Sequence, residues 1–347
     1  MYASLLIFGA WLMSQGSAGA VAAQTLPERS VPEHVLPVPS TVSPEMRELI
    51  ANSPAYAVSR NSPTTNAGWL KVSNPHPDQL HASIVRLLDR LDLTLSERAI
   101  AGVHCYVVQP APRNLKKNRL LVNVHGGGYV LGAGESGLTE AILVAGATGI
   151  RTIAVDYRMP PDHPFPIPVD DAVVVWKAVT AYAKAPVKVG IFGSSTGGAI
   201  ALEVTQRAIS EHFRVPDAVF AGTPWSDLSE TGDSYFVHKY ADPLVYDGGL
   251  SVMAQQYAHG ASLKDPRLSP IYGSFVGFPS TLLISGTRDL LLSDTVRVDR
   301  KLRDAGAHSE LIVYEGQGHG MYLAGLDYKE TKTFMKDVAA FFRKALG

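Results

Sequence analysis

The pentapeptide Gly193-Ser194-Ser195-Thr196-Gly197 sets a serine between two glycines, directly after the apolar run Val187–Phe192 and at the head of a helical pattern, Thr196–Ser210. A strand–turn–helix of the form Gly-x-Ser-x-Gly bends so sharply that a Cβ on either flank would clash. It presents the central hydroxyl above a helix N-terminus, whose dipole favours developing negative charge. The five residues alone are a weak signal, since a Gly/Ser-rich strand–helix turn can be inert or can cradle a phosphate. Ser194 is a second hydroxyl here, but only Ser195 holds the central place. About seventy residues upstream, His125-Gly126-Gly127-Gly128-Tyr129 ends another apolar run, Leu120–His125. Consecutive glycines let main chain approach a ligand closely with N–H groups free. A tetrahedral intermediate needs such donors, and losing one costs roughly 10²–10³ in rate. A glycine run alone reads as a flexible loop; paired with the serine turn it reads as an oxyanion site.

A serine hydroxyl is a poor nucleophile at neutral pH and needs a base, which in turn needs an orienting acid. Of the 11 histidines, His319 stands out, because Gly318 and Gly320 flank it between the last strand-like run and the last helical pattern. Asp289 lies in Gly286-Thr287-Arg288-Asp289, just after the run Thr281–Ser285. The order is then Ser195, Asp289, His319, as in hydrolases of the Gly-x-Ser-x-Gly type. Asp294 is the rival acid, but at a helix start it reads better as an N-cap. His125 is the rival base, but its place on the glycine loop suggests a bracing role.

The elements that must position these residues alternate from about Ala99 onward. Strand-like runs fall at Ala99–Gln109, Leu120–His125, Thr152–Tyr157, Val187–Phe192, Ala218–Gly222, Thr281–Ser285 and Glu310–Tyr314. Helical patterns fall at Thr139–Thr148, Asp170–Tyr182, Thr196–Ser210, Asp294–Ala305 and Thr331–Leu346. The central runs are nearly continuous in apolar residues, as strands covered on both faces are. The alternation implies an α/β fold with a mostly parallel central sheet flanked by helices. The stretch 227–263 interrupts it with a helical, aromatic-rich insertion, and 24–98 forms an N-terminal region with a short helical stretch near Glu45–Ala51. The expected division is thus 1–23, 24–98 and a catalytic domain over 99–347.

Composition narrows the rest. Of 347 residues, 46% are apolar and 18% charged, the balance of a globular protein with a sizeable core. A net charge of −1 sets up no field for nucleic acid or anionic lipid. The basic cluster Arg113–Arg119, between two strand-like runs, reads as a solvated hairpin turn. The single cysteine, Cys105, excludes an intramolecular disulfide, and no Cys/His spacing suggests a metal. It sits in the alternation Val103, Cys105, Val107, as a buried strand residue does. No cofactor motif is present. The run Ser4–Met13, followed by small residues with cleavage-like sites near Ala20 and Ala23, reads as a signal peptide over 1–23 and implies export to the periplasm or medium. The alternative is a cytoplasmic protein whose N-terminus is disordered or joins the cap. The apolar run is too short for a permanent membrane anchor.

Taken together, His125-Gly126-Gly127-Gly128-Tyr129, Asp156-Tyr157-Arg158, His163-Pro164-Phe165-Pro166, Asp170-Asp171-Ala172, Gly193–Gly198, Pro224-Trp225-Ser226-Asp227-Leu228 and Asp265-Pro266-Arg267-Leu268-Ser269-Pro270 resemble the hormone-sensitive-lipase family of α/β-hydrolases, in its bacterial carboxylesterase branch. The resemblance runs from about Ser83 to the C-terminus. It implies the α/β-hydrolase fold with a small helical cap, built from 24–74 and the insertion. It implies a serine carboxylesterase acting on a small-molecule ester, without metal or cofactor, and often dimeric. Ser195, Asp289 and His319 fall on the catalytic positions, Gly127, Gly128 and Thr196 on the oxyanion donors. Asp156 and Arg158 would be structural. Two places depart from the pattern. Ser194 and Thr196 stand where the family usually has Asp and Ala, which removes a carboxylate and adds bulk beside the nucleophile. Around His319 the sequence is Gln317-Gly318-His319-Gly320-Met321, where an apolar residue often precedes the histidine motif and Phe often ends it. Lactone hydrolysis by the same residues is the main alternative activity. A non-catalytic small-molecule receptor is another, but such proteins usually lack one of the three catalytic residues.

Overall fold

The computed structural model describes residues 29–32, 35–53, 62–183, 186–242 and 249–347. The chain forms two compact units, Met1–Pro37 and Val38–Gly347. The described residues of the first carry no helix or strand. The expected signal peptide, 1–23, lies outside the described residues, as do 54–61 and 243–248 within the two regions assigned to the cap.

The second unit is built on eight strands in the order β1-β2-β4-β3-β5-β6-β7-β8. They are β1 (Leu93–Ile100), β2 (Val103–Pro110), β3 (Arg119–Val124), β4 (Arg151–Val155), β5 (Lys188–Ser194), β6 (Ala218–Gly222), β7 (Thr281–Gly286) and β8 (Ser309–Tyr314). β1 and β2 pair antiparallel, as do β2 and β4, and every later pair is parallel. The helices are α1 (Pro44–Asn52), α2 (Asn66–Ser73), α3 (Pro77–Leu91), α4 (Thr139–Thr148), α5 (Ile167–Tyr182), α6 (Thr196–Ser210), α7 (Ser234–Val237), α8 (Gly249–Ala258), α9 (Leu292–Asp304) and α10 (Lys329–Leu346).

Successive strand side chains point to opposite faces, and the core divides accordingly. Val122, Val124, Ile191, Val219 and Leu283 pack with α5, α6 and α9 residues in one cluster. Leu121, Phe192, Phe220, Leu282 and Ile284 pack against Phe334, Val338, Phe341 and Phe342 of α10 in another. The apolar face expected on the last helix is this docking face. Cys105 is fully buried in β2, where burial pushes its thiol up to about 12.

Three expectations need correction. The run Ala99–Gln109 is the end of one strand and most of a second, separated by Ala101 and Gly102 at φ 49° and 86°. β1 escaped notice because most of its residues face solvent, so apolar alternation barely marks it. The Arg113–Arg119 cluster does not close a hairpin: β2 and β3 lie on opposite sides of β4, so it belongs to a crossover connection. Asp294 is not an N-cap but lies inside α9, where Leu291 holds the cap position. Its Oδ2 accepts instead from the Asp227 N–H at 2.9 Å.

The fully buried Phe342 meets Phe192 edge-on at 6.1 Å and ties α10 to β5, the strand that carries the serine turn. Phe342→Ala is expected to lower stability by about 3–5 kcal/mol, read as the midpoint shift in urea unfolding.

Candidate active site

Ser195 follows β5 and caps α6 with φ 60° and ψ −127°. A non-glycine residue pays for that conformation, so its surroundings must over-determine it. They do so through main chain. The Ser195 N–H donates to Gly222 O at 2.8 Å, and Ser195 O accepts from Ala199 N at 3.1 Å and Trp225 N at 3.0 Å. The flanking glycines are a packing requirement: a Cβ on Gly193 or Gly197 would come within 2.1 or 2.0 Å of Val124 O, at the end of β3. The Thr196 N–H is the first of α6, and such N–H groups have no partner inside their own helix.

His319 and Asp289 approach from the two loops beyond β7 and β8. His319 Nδ1 is 3.2 Å from Asp289 Oδ1 and 2.9 Å from Thr223 Oγ1. Asp289 is 1% exposed. Its Oδ2 accepts from Ser285 Oγ at 2.6 Å and its Oδ1 from Leu291 N at 2.9 Å. Burial alone would raise the Asp289 pKa, but hydrogen bonds from His319, Ser285 and Thr223 and the histidine's charge hold it below the usual carboxylate range. Burial opposes protonation of His319, yet the hydrogen bond and charge of Asp289, aided by the Asp242 carboxylate, raise its pKa above the ordinary imidazole value. Asp294, the rival acid, hydrogen-bonds Asp227 N and Tyr235 instead.

The glycine loop runs beside the serine turn, with Gly127 and Gly128 at φ 120° and 64°. His125 underpins it. Its Nδ1 donates to Gly126 O at 2.8 Å, its ring stacks on Tyr157 at 4.1 Å, and Tyr157 OH donates to His125 O at 2.8 Å. Burial lowers the His125 pKa, and its partner is a carbonyl, which suits a brace rather than a base. Asp156 accepts from Gly134 N at 2.9 Å, and Arg158 pairs with Asp171 at 2.7 Å, both structural contacts.

A cavity of about 400 Å³ is lined by Gly126, Gly127, Gly128, Ser195 and His319 together. Val72 and Ser73 of α2, Leu250 and Met253 of α8, and Leu291 and Leu323 also line it, as do Glu140, Ser194 and Trp225. Trp69 Nε1 donates to Gln256 Oε1 at 2.9 Å, joining α2 to α8.

A family model described as the alpha/beta hydrolase fold matches residues 121–323. A crystallised esterase superposes with a TM-score of 0.83 at 36% identity, covering 92% of this chain and 98% of its own. An esterase from the bacterial hormone-sensitive lipase family gives 0.78 at 25%, covering 88% and 99%. An acetyl-hydrolase of Streptomyces hygroscopicus is 28% identical over 246 residues, 70% of this chain and 81% of that protein. The chain belongs to the hormone-sensitive-lipase family of α/β-hydrolases. It is a carboxylic ester hydrolase.

In this hydrolase the residues that sequence reasoning missed are those supporting the site. Thr223 follows β6 directly, and a polar residue just past the C-terminal end of a parallel strand is a signal worth reading. Glu140 is an acid on the otherwise apolar helix α4. It accepts from Ser194 N at 3.1 Å and Ser194 Oγ at 2.5 Å, while Tyr322 OH lies 2.7 Å from the same hydroxyl. A buried carboxyl thus faces Ser194, where the family usually has Asp. Burial raises the Glu140 pKa to about 7 against the hydrogen bonds from Ser194 and Asn123. Asp242 joins the loops that carry His319 and Asp289 and carried no motif at all.

Gly197→Ala is expected to destabilise by at least ~1–3 kcal/mol, because the new methyl meets backbone that cannot move without shifting β3. Thermal unfolding checks this; an unchanged midpoint would mean the turn is looser than the geometry shows.

Proposed function

We propose that this hydrolase cleaves esters of short to medium acyl chain through an acyl-enzyme on Ser195. The observation that carries the reading is the shared cavity. A strained, half-buried serine and a histidine paired to a buried aspartate line the same pocket as a glycine loop.

Ser195 Oγ attacks the ester carbonyl carbon while His319 Nε2 takes the hydroxyl proton. Asp289 fixes the tautomer with the proton on Nδ1 and stabilises the imidazolium. The carbonyl oxygen becomes an oxyanion among the N–H groups of Gly127, Gly128 and Thr196, which are fixed before reaction and need no reorganisation. The C–O bond to the alcohol breaks, and His319 returns the proton to the leaving oxygen. Water, deprotonated by His319, then attacks the acyl carbon and releases the acid and free Ser195. No step draws on a metal or organic cofactor. A lactone follows the same route, with acid and alcohol remaining in one molecule.

The cavity volume lies near the small end for ligand pockets, and its wall is mostly apolar, which suits a short acyl chain. Segments 24–98 and 227–263, through Val72, Ser73, Leu250 and Met253, serve in this reading as the cap that sets chain length. Residues 1–23 serve as a signal peptide for export.

Hydrolysis of p-nitrophenyl acetate, butyrate and decanoate, beside a γ-lactone and an anilide, tests the reading. Turnover should be fastest on the two shorter esters, and Ser195→Ala should lower kcat by roughly 10⁴-fold or more. Retained activity in that variant would rule out Ser195, and turnover of the lactone alone would move the activity to lactones.

The pH profile follows from the raised His319 pKa. The base must be neutral, so kcat/KM should fall as pH drops through an inflection above about 6.5, the ordinary imidazole value. Asp289→Asn should move that inflection down and lower kcat by roughly 10⁴-fold. An inflection in the usual carboxylate range would contradict the assignment.

A further inference from the structure

Asp242 lies in the segment between β6 and β7 and is 2% exposed. One of its oxygens, Oδ2, accepts from two main-chain N–H groups: Leu290 at 2.6 Å and His319 at 2.9 Å. Leu290 is the residue after Asp289. A single carboxylate oxygen therefore clips the chain just past the acid to the base itself. Other contacts join the two loops, such as Arg288 N to Gln317 O at 3.0 Å, but they place no charge at the histidine.

We infer that Asp242 is a positioning residue for the acid–base pair, holding Asp289 and His319 in register and placing a second negative charge at the histidine. This rests on the catalytic reading of those two residues.

Three observations support it. The Asp289–His319 contact is 3.2 Å, at the long end for a hydrogen bond, so a small relative shift of the loops would break it. A buried carboxylate is costly unless donors meet it, and here the donors are the N–H of the base and of the residue beside the acid. Its charge also favours the protonated imidazole, in the same direction as Asp289. The groups around the histidine are the carboxylates of Asp289 and Asp242 and the Thr223 hydroxyl. His238 feels the charges of Asp289, Asp233 and Arg288. When His319 takes the serine proton, the imidazolium forms under the charge of two carboxylates rather than one. The same β6–β7 segment contributes Leu250 and Met253 to the cavity wall, so one insertion both shapes the pocket and steadies the base.

The test compares wild type, Asp242→Asn and Asp242→Ala, with fold checked by circular dichroism. Two readouts are needed: kcat and KM on p-nitrophenyl butyrate across pH, and NMR titration of His319 in protein labelled with ¹⁵N-histidine. The Asn variant keeps an acceptor oxygen and loses the charge. It should shift the His319 titration and the acid inflection of kcat/KM to lower pH, with KM little changed. The Ala variant should in addition lose roughly tenfold to hundredfold in kcat through misplacement of the pair. A His319 titration that is unmoved in the Asn variant, with kcat intact in both variants, overturns the inference. Should the Asn variant not fold, Asp242→Ser, whose hydroxyl also accepts, carries the same titration. NMR reads the histidine whether or not the protein turns over ester. Failure of the catalytic reading would show separately, as a His319→Ala protein that keeps full activity.

Discussion

The main chain at Ser195 bends through a conformation that side chains rarely adopt, and the active end of this molecule is organised around keeping it there. The restraint is parallel-sheet chemistry carried one residue too far. The Ser195 N–H still reaches Gly222 O on β6, as a strand residue would, while Ser195 O already accepts the first helical bond of α6. One residue belongs to two elements, and its side chain has nowhere to point but outward. The neighbouring β3 makes the bend tight, because Val124 O leaves no room for a Cβ on either flanking glycine. The glycine loop begins one residue beyond Val124, so the strand that compresses the turn also delivers the loop beside it.

Charge at this end of the sheet is arranged as buried carboxylates with assigned donors. Asp289 meets His319, Ser285 and Leu291; Asp242 meets the main chain of Leu290 and His319; Glu140 meets Ser194. Each acid touches a different part of the machinery: the imidazole ring, the backbone of the two loops, and the serine turn. The contrast with Asp294 is instructive, since burial raises that carboxyl well above its ordinary range and its partners lie around Asp227. Proximity in sequence to the acid loop did not bring it to the base.

Much of this was legible in the residues. The central strands β3 to β7 are largely buried on both faces, so their sequences are nearly continuous in apolar residues. The helices were readable in other ways: α4 by its apolar run and the stop at Gly149, α10 by the periodicity of Phe334, Val338, Phe341 and Phe342. β1 was not readable, because it is largely solvent-facing; α3 was passed over although Leu80, Ile84, Leu87, Leu88 and Leu91 recur at helical spacing behind the helix-starting Pro77. At the site, Ser195 was marked by glycines, which the backbone requires there. The supporting residues were not. Thr223, Glu140 and Asp242 act through the fold, reaching partners 96, 54 and 77 positions away, and nothing in a local pattern announces such a contact.

Catalysis at this site requires Ser195 Oγ to be the atom that becomes acylated, while Ser194 serves Glu140. Labelling with a fluorophosphonate followed by intact mass and peptide mapping addresses this directly. One covalent adduct per chain, on Ser195 and absent from Ser195→Ala, is the result the geometry predicts. An adduct on Ser194, or undiminished hydrolysis in protein fully labelled elsewhere, would contradict it.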